Sequence, residues 1–527
     1  MIKKGIIVLW LFVAAMGISA QAQQFYNVLD YGGSNDSTGL NTDAIGKAID
    51  AAASRGGGTV YFPAGKYITG PIHFKSNITL FIDAGAELHF SDDFDHYLPM
   101  VESRWEGTEV TNFSPLIYGT DLENIAIVGR GLIDGHGKKW WGYSEVTIRE
   151  QKEGEQTKWQ KEFKRLNKDV LAPDLPGWVE RGFLRPPFIQ FLRCKNVQIK
   201  DIKIQNSPFW TVNPQYCDNI TIDGVTLENP PSPNTDGINP ESCRNVHIAN
   251  CHISVGDDCI TIKSGKDRSG RKVNVPAENY TITNCTMLSG HGGVVIGSEM
   301  SGGVKNIVIS NCIFDGTDRG IRLKTARGRG GVVENIRVSN IVMRNIRDQA
   351  IVMDTQYAKT DPEPVSERTP QFKNIHISNM SGTTNRVSRI RGLDEMPIEN
   401  ISFNNISMQA KSGFEIENAK KILFNNVQVD VENEPFIQAK NVEVLNLTGI
   451  QNNTPKKDRP MLVFEGVSDA NIQQNFPSAG TNTFLELIGD DNKDIFIHSN
   501  NLKNVQQTVT GNTASAVVTN NVDVQKK

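Results

Sequence analysis

Long hydrophobic runs, aromatic residues and a dominant charge sign are all scarce in this chain of 527 residues. Phe, Trp and Tyr make up only 8% of it while glycine is frequent, a balance that suits many short strands joined by turns. A formal charge of −4 argues against a nucleic-acid or anionic-membrane partner, so a polyanionic ligand would need a local basic patch. The one apolar run near the start, Ile6 to Met16, is too short to span a bilayer comfortably. With Lys3 and Lys4 before it and Ala20-Gln21-Ala22 after it, this run is expected to be a signal peptide over 1–22, which makes the protein exported, to the periplasm or beyond. No Cys follows that site, which argues against a lipoprotein. The seven cysteines lack paired zinc-type spacing. Cys194, Cys217 and Cys243 each stand just before an Asn-Val or Asn-Ile pair, and Cys251, Cys285 and Cys312 each follow an Asn. Two columns of buried thiols would explain both patterns. Periodic leucines are missing too, which sets leucine-rich repeats aside.

What is present is a phrase: Asn, a β-branched residue, a polar residue, another β-branched residue. It recurs at Asn124, Asn196, Asn219, Asn245, Asn306, Asn335, Asn374 and Asn400, with central copies mostly 23 to 29 residues apart. Period-two alternation marks strands, and this repeat length suits one turn of a β-solenoid. A second Asn, at positions 250, 284, 311, 340 and 379, would stack between coils as a hydrogen-bonded ladder. The open end of such a solenoid needs a cover. A helix over 41–55, capped by Asn41 or Thr42 and apolar at Ala44, Ile45, Ala48, Ile49 and Ala52, would supply it. The expected organisation is a signal peptide (1–22), a cap and first coils (23–120), a core (121–450), and C-terminal coils with a tail (451–527). A charged insertion at 138–185, carrying Trp140, Trp141, Trp159 and Trp178, interrupts the core.

Aligning the coils by one strand makes Ile238, Ile260, Val294, Ile321 and Ile351 a single inward column. Asp236 and Asp258 then fall on adjacent coils about 4.8 Å apart, with Asp257 beside Asp258. Counting back by twos would turn Asp236 and Asp258 inward, so a turn must break the pleat there. Three crowded carboxylates cannot all ionise readily, and one raised pKa would leave a proton for a glycosidic oxygen while its neighbours activate water. The bland alternatives are a calcium site, which would want several more oxygen ligands, or a capped turn. Further along come Gly290-His291-Gly292 and a basic run from Arg319 to Arg329 that contains no acid. Arg322 and Lys324 alternate with Ile321 and Leu323, so both should face outward and be exposed, placed for a sugar carboxylate.

Asn234-Thr235-Asp236, Gly256-Asp257-Asp258, Gly290-His291-Gly292 and Arg322-Leu323-Lys324 resemble, in order, the four signatures of the polygalacturonases, glycoside hydrolase family 28. The resemblance extends over roughly 25 to 450. It implies an all-β, right-handed parallel β-helix that acts as a monomer on pectic polysaccharide or oligogalacturonide, with no metal or organic cofactor. It also implies Asp257 as general acid, Asp236 and Asp258 holding the attacking water with inversion, and His291 orienting the acid. Arg322 and Lys324 would grip the leaving-side galacturonate, with Tyr357, Asn234 and Lys263 as further sugar contacts. Alternatives are a rhamnogalacturonan-directed galacturonidase, a pectate lyase, or a β-helix that only binds polysaccharide. Two further motifs, Asn41-Thr42-Asp43 and Gly135-His136-Gly137, repeat the first and third signatures and are expected to lie outside the aligned column. The 138–185 insertion is expected to block the non-reducing side of the cleft and make the enzyme exo-acting.

Overall fold

The computed structural model describes residues 25–144, 156–169 and 182–523; the expected signal peptide and Trp178 lie outside the described residues. Each central coil of the chain passes through three short strands, and each strand hydrogen-bonds in parallel to its counterpart one coil on. Lys195–Lys200, Asp218–Asp223, Arg244–Ala249 and Ala277–Thr283 form the first ladder. Lys203–Gln205, Thr226–Glu228, His252–Ser254 and Thr286–Ser289 form the second. Ile260–Ile262, Val294–Gly297 and Ile321–Lys324 form the third, extended backward by single bridges at Ile238, Val212 and Ile189. The result is a parallel β-helix, and further parallel strands continue it from Leu462–Gln473 to Ala516–Thr519.

The repeated Asn has a backbone reason. Asn124, Asn196, Asn219, Asn245, Asn306 and Asn335 all sit at positive φ, where a coil bends into its first strand. Among non-glycine residues Asn tolerates this left-handed region best, because its short amide bonds locally. The amides then stack. Asn219 Nδ2 donates to Asn196 Oδ1 at 2.8 Å and Asn196 Nδ2 to Asn124 Oδ1 at 2.9 Å. The second column does the same, with Asn340 donating to Asn311 and Asn379 to Asn340, both at 3.1 Å. All seven cysteines are free and buried, six of them in the two columns their register implied and Cys259 just before Ile260 of the third ladder.

The N-terminal helix spans Thr42–Ala53 and buries the five apolar residues expected of it. Its cap differs from expectation. Asn41 makes no side-chain cap bond; its Oδ1 accepts from Ser34 N at 2.7 Å, while Thr42 Oγ1 accepts from Gly70 N at 2.7 Å. Both side chains tie the helix to neighbouring loops.

Two excursions leave the coils where the second strand would turn into the third. Residues 91–116 contain an antiparallel hairpin, Val101–Trp105 with Thr108–Asn112. The other is the 138–185 insertion, whose described part includes the helix Lys158–Leu166 with a Thr157/Gln160 capping box. The two share an aromatic core. Phe94 lies 4.2 Å from the ring of Trp140, and Tyr143, Trp159 and Phe183 complete the cluster. Trp140 is fully buried there, so this ring anchors the insertion to the other excursion.

Candidate functional site

The column Ile238, Ile260, Val294, Ile321 and Ile351 pairs coil to coil as expected and is buried throughout. Asp236 and Asp258 precede it, in turns where strand geometry has stopped. That break lifts both carboxylates onto the outer side of the third ladder, which resolves the parity conflict. One oxygen from each of Asp236, Asp257 and Asp258 lies within 4.8 Å of the others. Together they floor a cleft of about 400 Å³.

The three carboxylates are not equivalent. The Asp257 side chain is 20% exposed, against 4% for Asp236 and 1% for Asp258. Burial, then the charge of Asp257, raise Asp236 well above the ordinary carboxylate range, against the pull of Lys263 at 4.0 Å. Burial also pushes Asp257 up, but the hydrogen bond with His291 and the charges of Lys324 and His291 outweigh it and hold Asp257 low. The expected raised carboxyl therefore exists, yet in the free protein it is Asp236. Asp258 is bound by Lys324 Nζ at 2.8 Å, with Arg322 at 3.7 Å.

The Gly-His-Gly turn is shaped by the trio. A Cβ on Gly290, at φ +152°, would meet the Asp257 carbonyl at 2.5 Å, and one on Gly292 would meet Val295 at 2.4 Å. Only glycine lets the turn settle this closely. His291 N then donates to Asp257 O at 2.9 Å, and its Nδ1 stands 3.2 Å from Asp257 Oδ1. The hydrogen bond with Asp257 raises the imidazole pKa, against partial burial.

One expectation is corrected. Arg322 and Lys324 do alternate outward, but the outer face here is the cleft floor. Lys324 is therefore buried and committed to Asp258, not exposed. Lys263, expected to touch sugar, lines the cleft but is largely buried, with Nζ on Glu299 Oε2 at 2.8 Å and 4.4 Å from the Trp210 ring centroid. Tyr357 is 47% exposed, with its ring 5.5 Å from both Arg322 and Lys324. Asn234 lines the cleft, its Oδ1 accepting from Arg185 Nη2 at 2.8 Å.

Sequence reasoning missed Arg185, Glu299 and the hairpin. Glu299 is held well below its usual range: burial opposes this, but Lys263 and Arg329 prevail. The hairpin lies across the third ladder on the N-terminal side of the trio. Ser103 Oγ donates to Gln190 Oε1 at 2.8 Å, and Gln190 and Gln215 both donate to Arg104 O at 3.2 Å. At its tip Lys266 Nζ donates to Glu106 Oε2 at 3.0 Å, and Glu106 lines the cleft. Among the described residues no part of 138–185 lines it. The hairpin tip thus supplies part of the cleft wall, and the described part of the insertion packs on the excursion that carries it. A run such as Val101-Glu-Ser-Arg-Trp105 carries no repeat signal that would have pointed to it.

The motif at 135–137 is also corrected. Asp134 pairs with Gln205, Gln205 with Glu228, Glu228 with Ser254 and Ser254 with Ser289. Gly135-His136-Gly137 therefore occupies the same turn column as Gly290-His291-Gly292, on an earlier coil. Asn41-Thr42-Asp43 opens the helix, as expected.

Residues 180–431 match Glycosyl hydrolases family 28, and residues 25–153 match Rhamnogalacturonase A/epimerase, pectate lyase-like. A "Probable polygalacturonase" of Vitis vinifera is 31% identical over 394 residues, 72% of this chain and 74% of that one. The Endo-polygalacturonase of Pectobacterium carotovorum subsp. carotovorum is 29% identical over 72% of this chain and 84% of its own. A hyperthermoactive exopolygalacturonase from Thermotoga maritima superposes with a TM-score of 0.66 at 34% identity, covering 76% of this chain and 92% of that one. A parallel β-helix with three carboxylates in adjacent turns, together with these likenesses, establishes that the chain is a glycoside hydrolase and belongs to glycosyl hydrolase family 28.

Proposed function

We propose that the protein hydrolyses α-1,4-galacturonosyl bonds of homogalacturonan or its oligomers, with inversion and from the chain end. The observation that carries this reading is the asymmetry of the cleft. The carboxylate trio has Arg322, Lys324 and Tyr357 on one side, while the hairpin crosses the groove on the other. Cations at that distance suit a galacturonate carboxylate on the leaving side. A groove stopped opposite them suits recognition of a non-reducing end.

Asp257 is the acid in this reading because it is the most open of the three and His291 orients it. The proton that burial stores on Asp236 is within the same small cluster and available to it. The oxygens stand closer than the roughly 6.5–9.5 Å between carboxyl groups usual for inverting pairs. Inversion rests instead on the confinement of Asp258. Bound by Lys324 and almost wholly buried, it is poorly placed to swing onto the anomeric carbon. Its buried Oδ1 makes no hydrogen bond among the described residues and has Arg322 Nη1 at 3.7 Å. Lys263 and Glu299 act beneath the trio as positioning residues. The N-terminal match to a rhamnogalacturonase profile gives a rhamnogalacturonan substrate some footing, but Arg322 on the leaving side favours galacturonate there. The apolar start of the chain supports export. Among the described residues no helix is long and apolar enough to cross a membrane.

Asp257→Asn should lower kcat by about 10²–10⁴-fold with an unchanged melting temperature, the usual worth of a general acid. On wild-type protein, early digests of long homogalacturonan should contain monogalacturonate with little fall in viscosity, and NMR should show the β-anomer first. A folded Asp257→Asn protein of normal activity would remove the acid assignment. A rapid viscosity drop would remove the exo reading, and an α-anomer burst would remove inversion.

A further inference from the structure

The Gly135-His136-Gly137 turn does something chemical of its own. His136 sits at positive φ and turns its ring toward the neighbouring strand Ala86–Phe90. There His136 Nε2 stands 2.9 Å from His89 Nδ1 and 3.7 Å from Asp134 Oδ1. One ligand atom each from His89, Asp134 and His136 lies within 4.8 Å of the others. Among the described residues only the catalytic trio forms another such group. We propose that His89, His136 and Asp134 form a binding site for a borderline divalent transition-metal cation, zinc foremost, which joins the roots of the two excursions.

The chemistry of the donor set selects the ion. Two imidazoles and one carboxylate suit zinc and its first-row neighbours, whereas calcium and magnesium prefer oxygen alone. Two nitrogens bound to one zinc at about 2.0–2.1 Å stand roughly 2.9–3.4 Å apart for angles between about 90° and 109°. The observed 2.9 Å is at the near end of that span. The supporting shell is in place as well. His89 Nε2 lies 2.9 Å from Glu87 Oε2, the carboxylate–imidazole arrangement that fixes the orientation of a ligand ring. Asp134 is held by Gln205 Nε2 at 2.7 Å, by Asn206 Nδ2 at 3.0 Å and by His136 N at 2.9 Å. His136 is 47% exposed, which gives the ion an entry path and room for a water ligand.

Position gives the site a purpose. His89 lies just before the 91–116 excursion and His136 just before the 138–185 insertion. An ion between them would fasten both where they leave the solenoid, behind the hairpin that crosses the cleft. This inference does not depend on the substrate or on the mode of attack.

The test uses untagged, chelator-stripped protein titrated with Co²⁺ and then Zn²⁺. One equivalent of Co²⁺ should bind with visible d–d absorption that Zn²⁺ bleaches, and Zn²⁺ should raise the melting temperature. His89→Gln and His136→Gln, checked for fold by circular dichroism, should lose both responses, while Asp257→Asn should keep them. Absence of saturable binding to wild type would overturn the proposal. So would binding that survives both histidine variants, or binding that Asp257→Asn abolishes, since the ion would then lie on the carboxylate trio.

Discussion

The two sides of the cleft are built from the same repeat and differ in what their charges are for. On the N-terminal side Arg104 and Glu241 are both essentially inaccessible, 3.5 Å apart, and enclosed by Gln190, Asn213 and Gln215 under the hairpin. Burial raises Glu241, and Arg104 and Lys263 restrain that rise. On the C-terminal side Arg322 keeps some access to solvent and faces the exposed ring of Tyr357. The same third ladder runs under both sides. Direction along the groove comes from the excursion that covers one half, which turns the charges beneath it into structural pairs.

That contrast can be broken most severely at Arg104. Arg104→Ala would leave Glu241 buried without its nearest cation and should cost about 3–5 kcal/mol of stability in denaturant titration. A loss below about 1 kcal/mol, the range of exposed pairs, would mean that the covered side is not held by this pair. Arg322→Ala should behave in the opposite way. Its loss should appear in kcat/KM on galacturonate oligomers, by about 1.5–3 kcal/mol or roughly 10–100-fold, with stability nearly unchanged. Equal loss on methyl-esterified substrate would show that Arg322 does not read the sugar carboxylate.

The smallest expected effect lies at the boundary between the halves, in the pH dependence of stability. Asp236, raised by burial first, holds its proton longer in the folded chain than in the unfolded one. Its contribution is complete below the ordinary value of 3.8 and is lost as pH rises through the raised value. Relative to Asp236→Asn, the wild type should therefore lose melting temperature as pH climbs through that window. Parallel profiles for the two proteins would show that Asp236 ionises normally.

Much of this was legible because a solenoid is nearly one-dimensional. A coil pairs with the coils beside it, so a phrase repeated at Asn196, Asn219 and Asn245 already states which strands meet and which side chains share a column. The same logic brought Asp236, Asp257, Asp258, His291, Arg322 and Lys324 to one face from their spacing alone. It failed where residues far apart in sequence meet outside the repeat. Alternation predicts an exposed Lys324 because it gives a side chain's direction but not what lies over it.

By itself, then, the sequence determined the parallel β-helix, the helix that caps its first coil, and the identity of the carboxylate trio. All of these follow from local backbone preference and a fixed register. The tertiary structure alone decided that Glu106 at the hairpin tip pairs with Lys266, that Lys324 is spent on Asp258, and that His89 faces His136. These contacts join loops of no periodicity, or depend on burial created by them. Their energies come from desolvation and long-range pairing, which no run of neighbouring residues encodes.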